Sequence, residues 1–263
     1  MENFLYAIDS YSWLLLICIF ISLSLAAFLG KFSWGRKFKR DAATEDELKI
    51  VLGATLSLFG LLIGFILSFA ISGYNTRVAA EENEAIAVGN AFQRTTLLQE
   101  SHQEQAKSIL MDYLNLRSQF FETADEDQRA EIRMESIRMQ TSMWTLISRI
   151  AKANPDPIIV TVLNACNDLY VAQQKTMASW RHQIPGAAWT ILIIFGLCSN
   201  FLIGYNIRGK GGRNTLIFVI PAVTALALFM IAEIDVPGKG IIRVAPDNLK
   251  AIRVTVSSGG LMP

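Results

Sequence analysis

Four long apolar blocks interrupt the chain, and one long polar stretch separates the second from the third. The blocks cover about Ser12–Leu29, Ile50–Ile71, Ala187–Tyr205 and Leu216–Ala232, and none holds an Asp, Glu, Lys or Arg. Each is close to the roughly 20 residues needed to cross a hydrocarbon core. The pattern predicts an all-α membrane protein: four transmembrane helices with a helical extramembrane insert between spans two and three. The expected divisions are 1–74 for spans one and two, 75–185 for the insert, 186–234 for spans three and four, and 235–263 for a C-terminal tail. Tyr11, Trp13, Trp34, Tyr74, Trp189 and Tyr205 fall near span ends, where aromatic rings favour the interface.

The insert reads as three helices. Between Tyr74 and Glu122 there is no proline and a single glycine, Gly89. Leu97, Leu98, Ile109, Leu110, Tyr113, Leu114, Leu116 and Phe120 recur at helix-compatible intervals. The acid-rich "ETADEDQ" (Glu122–Gln128) predicts a turn and a new helix start, because carboxylates favour the positive helix end. "NPDP" (Asn154–Pro157) ends that helix, and a third runs from about Ile158 to Gln183.

Composition strengthens the membrane reading. The chain is 52% hydrophobic and 18% charged, against about 25% charged in soluble domains. A net charge of +1 gives no basic field for nucleic acid. The N-terminal "MENFLYAIDS" carries two acids and no Lys or Arg, so it lacks the basic start of a signal peptide. The first block is therefore expected to be a retained span. The three cysteines (Cys18, Cys166, Cys198) and two histidines (His102, His182) form no metal or redox spacing. No P-loop, GxSxG or HExxH sequence occurs. The expectation is a protein that is not an enzyme and has neither cofactor nor metal.

Basic residues cluster in two short loops: Lys31, Arg36, Lys37, Lys39, Arg40 and Lys49 after span one, and Arg208, Lys210 and Arg213 after span three. The positive-inside tendency places both in the cytoplasm, with the N-terminus, the insert and the tail outside a multi-pass cell (inner) membrane protein.

Span two carries the most specific pattern. Gly53, Ser57, Gly60, Gly64, Ser68 and Ser72 fall on one narrow helical stripe. Small residues permit close backbone approach in lipid, so the stripe reads as a helix-packing surface. It also reads as a pore lining in an oligomer, and so does the neighbouring line of Leu61, Phe65 and Phe69, whose apolar rings would gate by dewetting. No span holds the buried charge that a proton relay normally uses. Asn200 in span three reads as interhelical glue.

After span two the chain continues "AISGYNTRVAAEENEAI". This Tyr74–Arg77–Glu81–Glu84 segment resembles the end of the second span in bestrophins, and more closely the bacterial bestrophin-like family. "NACNDLYVAQQKTMASWR", through Asn167, Asp168 and Arg181, resembles the family's polar helix before span three. "DVPGKGIIRVAP", through Asp235, Pro237, Gly240 and Pro246, resembles its acidic-Pro-Gly segment after span four. The resemblance implies a homo-oligomeric, mostly pentameric ion channel, commonly anion-selective, whose partners are the lipid bilayer, further copies of the chain and inorganic ions. In that reading Tyr74, Arg77, Glu81 and Glu84 border a vestibule; otherwise the charges form a solvated helix face. Two departures stand out. The pair is stretched to Tyr74-x-x-Arg77, and the basic loops suggest an orientation opposite to that of bestrophins, whose helical part is cytoplasmic. Other classes remain open: a membrane-anchored helical scaffold or sensor, and a stator-type proton channel, whose usual acidic path is represented only by Glu233 at the end of span four.

Overall fold

A computed structural model describes residues 12–34, 42–207, 216–238 and 240–258. The N-terminal ten residues and the basic positions Arg36, Lys37, Lys39, Arg40, Arg208, Lys210 and Arg213 lie outside the described residues. Among the described residues all regular structure is α-helical: α1 Ser12–Trp34, α2 Ala42–Thr95, α3 Glu100–Glu122, α4 Glu126–Ala153, α5 Pro157–Trp180, α6 Gly186–Asn206, α7 Leu216–Asp235 and α8 Asp247–Ser257. Four of these, α1, α2, α6 and α7, are long and apolar enough to cross a membrane.

Span two and the start of the insert are one helix of 54 residues. Nothing between Ile71 and Tyr74 breaks it, because Gly73 keeps helical geometry without proline nearby. The expected uninterrupted helix from Tyr74 to Glu122 is instead divided after Thr95. The threonine pair ends it: Thr95 Oγ1 donates to the Phe92 carbonyl and Thr96 Oγ1 to the Gln93 carbonyl. Such local side-chain bonds compete with helix propagation. Gln103 then folds back, its amide donating to the Thr96 and Leu98 carbonyls.

The acidic helix starts form as their sequences require. Asp125 caps α4 by accepting from Asp127 N and Gln128 N. Asp156 caps α5 by accepting from Ile158 N, with Pro157 in the first turn. Both satisfy amide donors that have no partner within the helix.

The chain divides into two compact units: residues 1–72 with 183–242, and residues 73–182 with 243–263. In the first, α1 packs against α6 and α7, and α6 packs against α7. In the second, α3, α4 and α5 pack in succession and α8 packs on α3. The core of this unit is built from Val88, Ala91, Leu110, Leu114, Phe121, Ile147 and Leu169, among others.

Candidate functional site

The apolar part of α2 covers only one side of itself within the chain. Phe59 is 4% exposed and Ala70 2%; eleven residues apart, they lie about three turns along nearly the same line. Phe59 meets Gly196 of α6. The small-residue stripe lies roughly opposite that line, and Leu61, Phe65 and Phe69 lie about 80° further round. All three are exposed, at 54%, 65% and 40%. A Cβ added to Gly53, Gly60 or Gly64 would meet nothing within 4 Å. Among the described residues, none packs closely on these three glycines.

Close backbone approach within the first unit occurs between α1 and α6. A Cβ on Gly204 would overlap the Ala27 carbonyl, and one on Gly30 would overlap the Phe201 carbonyl. These glycines permit the crossing by lacking a side chain. Asn200, fully buried in α6, donates to the Gly196 carbonyl of its own helix, not to another span as the glue reading expected. An asparagine four residues past a glycine can reach back to the carbonyl exposed there.

Arg77, Glu81 and Glu84 stand at successive turns of α2, and all three are buried. The solvated face expected for them lies instead at Glu82 and Asn83. Each buried charge has internal partners. Arg77 Nη1 donates to the His182 carbonyl at 3.4 Å. Glu81 accepts from Asn248 Nδ2 at 2.7 Å and Leu249 N at 2.9 Å, so it caps the start of α8. Glu84 accepts from Tyr113 Oη at 2.7 Å, Arg117 Nη2 at 3.1 Å, Arg117 Nε at 2.5 Å and Thr176 Oγ1 at 2.6 Å. Tyr74 is half-buried and packs on the core of the second unit.

Burial first, and then the Glu84 carboxylate, push the Tyr113 phenol well above its ordinary range. Burial works to lower Arg117, but Glu84 and Tyr113 together, through charge and hydrogen bonds, outweigh it and hold the guanidinium more firmly protonated. Phe120 lies 4.3 Å from the guanidinium carbon and covers it. Gln140 completes the group, donating to Tyr113 Oη and the Leu169 carbonyl, both at 3.3 Å.

Arg117, Thr176 and Gln140 were not singled out from the sequence, and Tyr113 was read only as part of an apolar helix face. A signal existed: Leu110, Tyr113, Leu114, Arg117 and Phe121 share the i, i+3, i+4, i+7 spacing of a buried face, with a charge inside it.

Two carboxylates at the end of α7 serve as backbone acceptors. Asp235 accepts from Ile184 N at 2.8 Å and Trp189 Nε1 at 3.3 Å, fixing the entry into α6. Glu233 accepts from Ile241 N at 2.5 Å, beside Gly240, whose φ of 80° suits glycine. Among the described residues no group of three or more His, Cys, Asp or Glu side chains is placed to hold a metal ion.

These features define a multi-span helical membrane protein with a helical unit continuing from its second span. The Bestrophin-like domain family matches residues 15–249. The chain belongs to that family, whose members are membrane ion channels. Its fold is similar to two variants of a bacterial bestrophin homologue from Klebsiella pneumoniae. One has a TM-score of 0.53 at 14% identity, covering 92% of this chain and 98% of the other. The second has a TM-score of 0.52 at 15% identity, covering 92% and 97%. A crystal structure described as a membrane protein is similar to the same degree, with a TM-score of 0.52 at 14% identity over 92% and 97% of the two chains. No curated protein sequence matches the chain.

Proposed function

We propose that the protein is a homo-oligomeric ion channel in which α2 of each copy borders the pore. Anion conduction and a pentameric ring are the specific form that the family resemblance favours. The observation that carries the reading is the bareness of α2. Its span buries the Phe59 and Ala70 line, leaves open space beside Gly53, Gly60 and Gly64, and exposes Leu61 and Phe65 by more than half. A helix with two uncovered faces suits a ring of identical subunits, where one face meets the neighbour and the other the axis. In this arrangement the stripe packs against the adjacent copy. Leu61, Phe65 and Phe69, four residues apart, stack as successive apolar rings that hinder ions until the passage widens or wets.

Planar-bilayer recording of the purified protein tests the reading. Discrete unitary currents with a reversal potential that follows the chloride gradient are expected. Absence of current from active-quality, correctly assembled protein would favour a membrane-anchored scaffold. The basic loops favour a cytoplasmic location for residues 31–49 and 208–213. Labelling of single cysteines by an impermeant maleimide reads that orientation directly: position 125 labelled from outside intact cells and position 40 protected.

A further inference from the structure

Three consecutive polar residues of α2, Glu82, Asn83 and Glu84, point in three directions. Successive helix residues turn by about 100°, so Asn83 stands between its two acidic neighbours, one on either side. Glu84 is buried and held by Tyr113, Arg117 and Thr176. Glu82 and Asn83 are both exposed. Burial thus leaves two candidates for the side chain that α2 presents to ions beyond its apolar span.

Helix geometry separates them. α2 is one helix from Ala42 to Thr95, and eighteen residues make about five whole turns. Asn83, eighteen residues after Phe65, therefore repeats the direction of Phe65, and Ala79 repeats that of Leu61. Asn90 falls between those two directions. Glu82 repeats the direction of Gly64, on the glycine-serine stripe. The line that continues Leu61 and Phe65 carries an exposed alanine and two exposed carboxamides, and no charge. Arg77, like Glu84, is buried. The Asn83 amide donates to the Ala79 carbonyl at 2.6 Å, which fixes the side chain along its own helix. A carboxamide has both donors and an acceptor, so it suits ions of either sign and their water.

Resting on the channel reading above, we propose that Asn83, and not Glu82, is the α2 side chain that ions meet beyond the Leu61–Phe65–Phe69 line, and that Glu82 faces the adjacent copy. Repeated around the axis, Asn83 gives this level a neutral polar lining. A ring of carboxylates at the same level would attract cations and repel anions. The direction of one residue therefore decides the charge preference here.

Reversal potentials in a sodium chloride gradient, recorded in planar bilayers, test the assignment. Asn83→Lys is expected to raise the chloride-to-sodium permeability ratio about threefold, and Asn83→Asp to lower it about as much, the scale of one added charge beside the ion path. Glu82→Gln is expected to leave the ratio unchanged. Conducting protein in which Glu82→Gln raises the ratio, or in which charge at position 83 has no effect, overturns the assignment and leaves the channel reading standing. A correctly assembled parent protein without current overturns both. Spin labels on single cysteines at positions 82 and 83 give a second arm in the assembled protein. The label at 83 is expected to be reached by a water-soluble relaxation agent and the label at 82 to be shielded by the neighbouring copy. Equal access, or the reverse pattern, overturns the assignment.

Discussion

Gly204 of α6 rests against the Ala27 carbonyl of α1 so closely that no Cβ fits between them, and Gly30 does the same against the Phe201 carbonyl. The obstacle is backbone, which cannot swing aside as a side chain can. Gly204→Ala and Gly30→Ala are each expected to destabilise the first unit by at least about 1–3 kcal/mol, the range for overpacking. Gly60→Ala and Gly64→Ala meet open space in the chain and are expected to leave its folding intact. Thermal unfolding in detergent compares the four variants. Near-equal midpoints for all of them would discount the α1–α6 contact.

The uncovered stripe gives a contrasting expectation. Gly64→Leu is expected to lower the oligomer mass measured by light scattering while leaving helix content unchanged. Leucine at this position blocks close approach of a second copy. An unchanged mass would remove the stripe from the subunit interface.

Phe65→Ala and Phe69→Ala are expected to raise unitary conductance or open probability, because they thin the apolar rings without touching the stripe. Recording in planar bilayers measures this. Currents identical to those of the parent, with changes on substitution of Ser68 instead, would move the pore axis to the stripe.

Breaking the Glu84–Arg117 pair is expected to be expensive on one side and mild on both. Arg117→Met leaves a buried carboxylate without its cation, which costs about 3–5 kcal/mol. Combining it with Glu84→Leu removes the stranded charge and is expected to recover much of the loss. A double-mutant cycle by chemical unfolding yields the coupling. Additive effects would show that the two side chains do not act as a pair.

Cys166 is buried among apolar side chains, and burial pushes its thiol up from 9.0 to about 11. In a Cys18→Ser, Cys198→Ser background, maleimide is expected to leave it unmodified at pH 7 until denaturant is added. The folded state holds the proton more tightly than the unfolded state. The associated stability is thus fully present below about pH 9 and is lost as pH rises through about 11. Rapid labelling of native protein at pH 7 would contradict the burial.

Glu81 holds α8 by its first amides, and Lys250 pairs with Glu122 of α3. Glu81→Ala is expected to weaken α8 docking by about 1–2 kcal/mol, the scale of a lost helix cap. Limited trypsin digestion should then cut sooner after Lys250 and Arg253. An unchanged cleavage rate would assign the docking to Leu249 alone.

The sequence by itself determined the four spans, the helical insert and most helix starts. These depend on local quantities: unbroken apolar length, the absence of proline, and the capping chemistry of Asp125 and Asp156. Proximity along one helix also made the stripe and the Leu61–Phe65–Phe69 line legible as separate faces. Tertiary structure alone decided which faces are covered. The glycine spacing in α2 looked like a packing surface, but the closest approach within the chain falls at Gly30 and Gly204, because a helix face is matched by a partner that its own sequence does not name. Likewise, Arg77, Glu81 and Glu84 read as a solvated face when only their own helix is considered. Residues distant in sequence supply the buried partners: His182 for Arg77, Asn248 and Leu249 for Glu81, and Tyr113, Arg117 and Thr176 for Glu84. A buried charge is tolerable only where such partners converge, and convergence is a property of the fold.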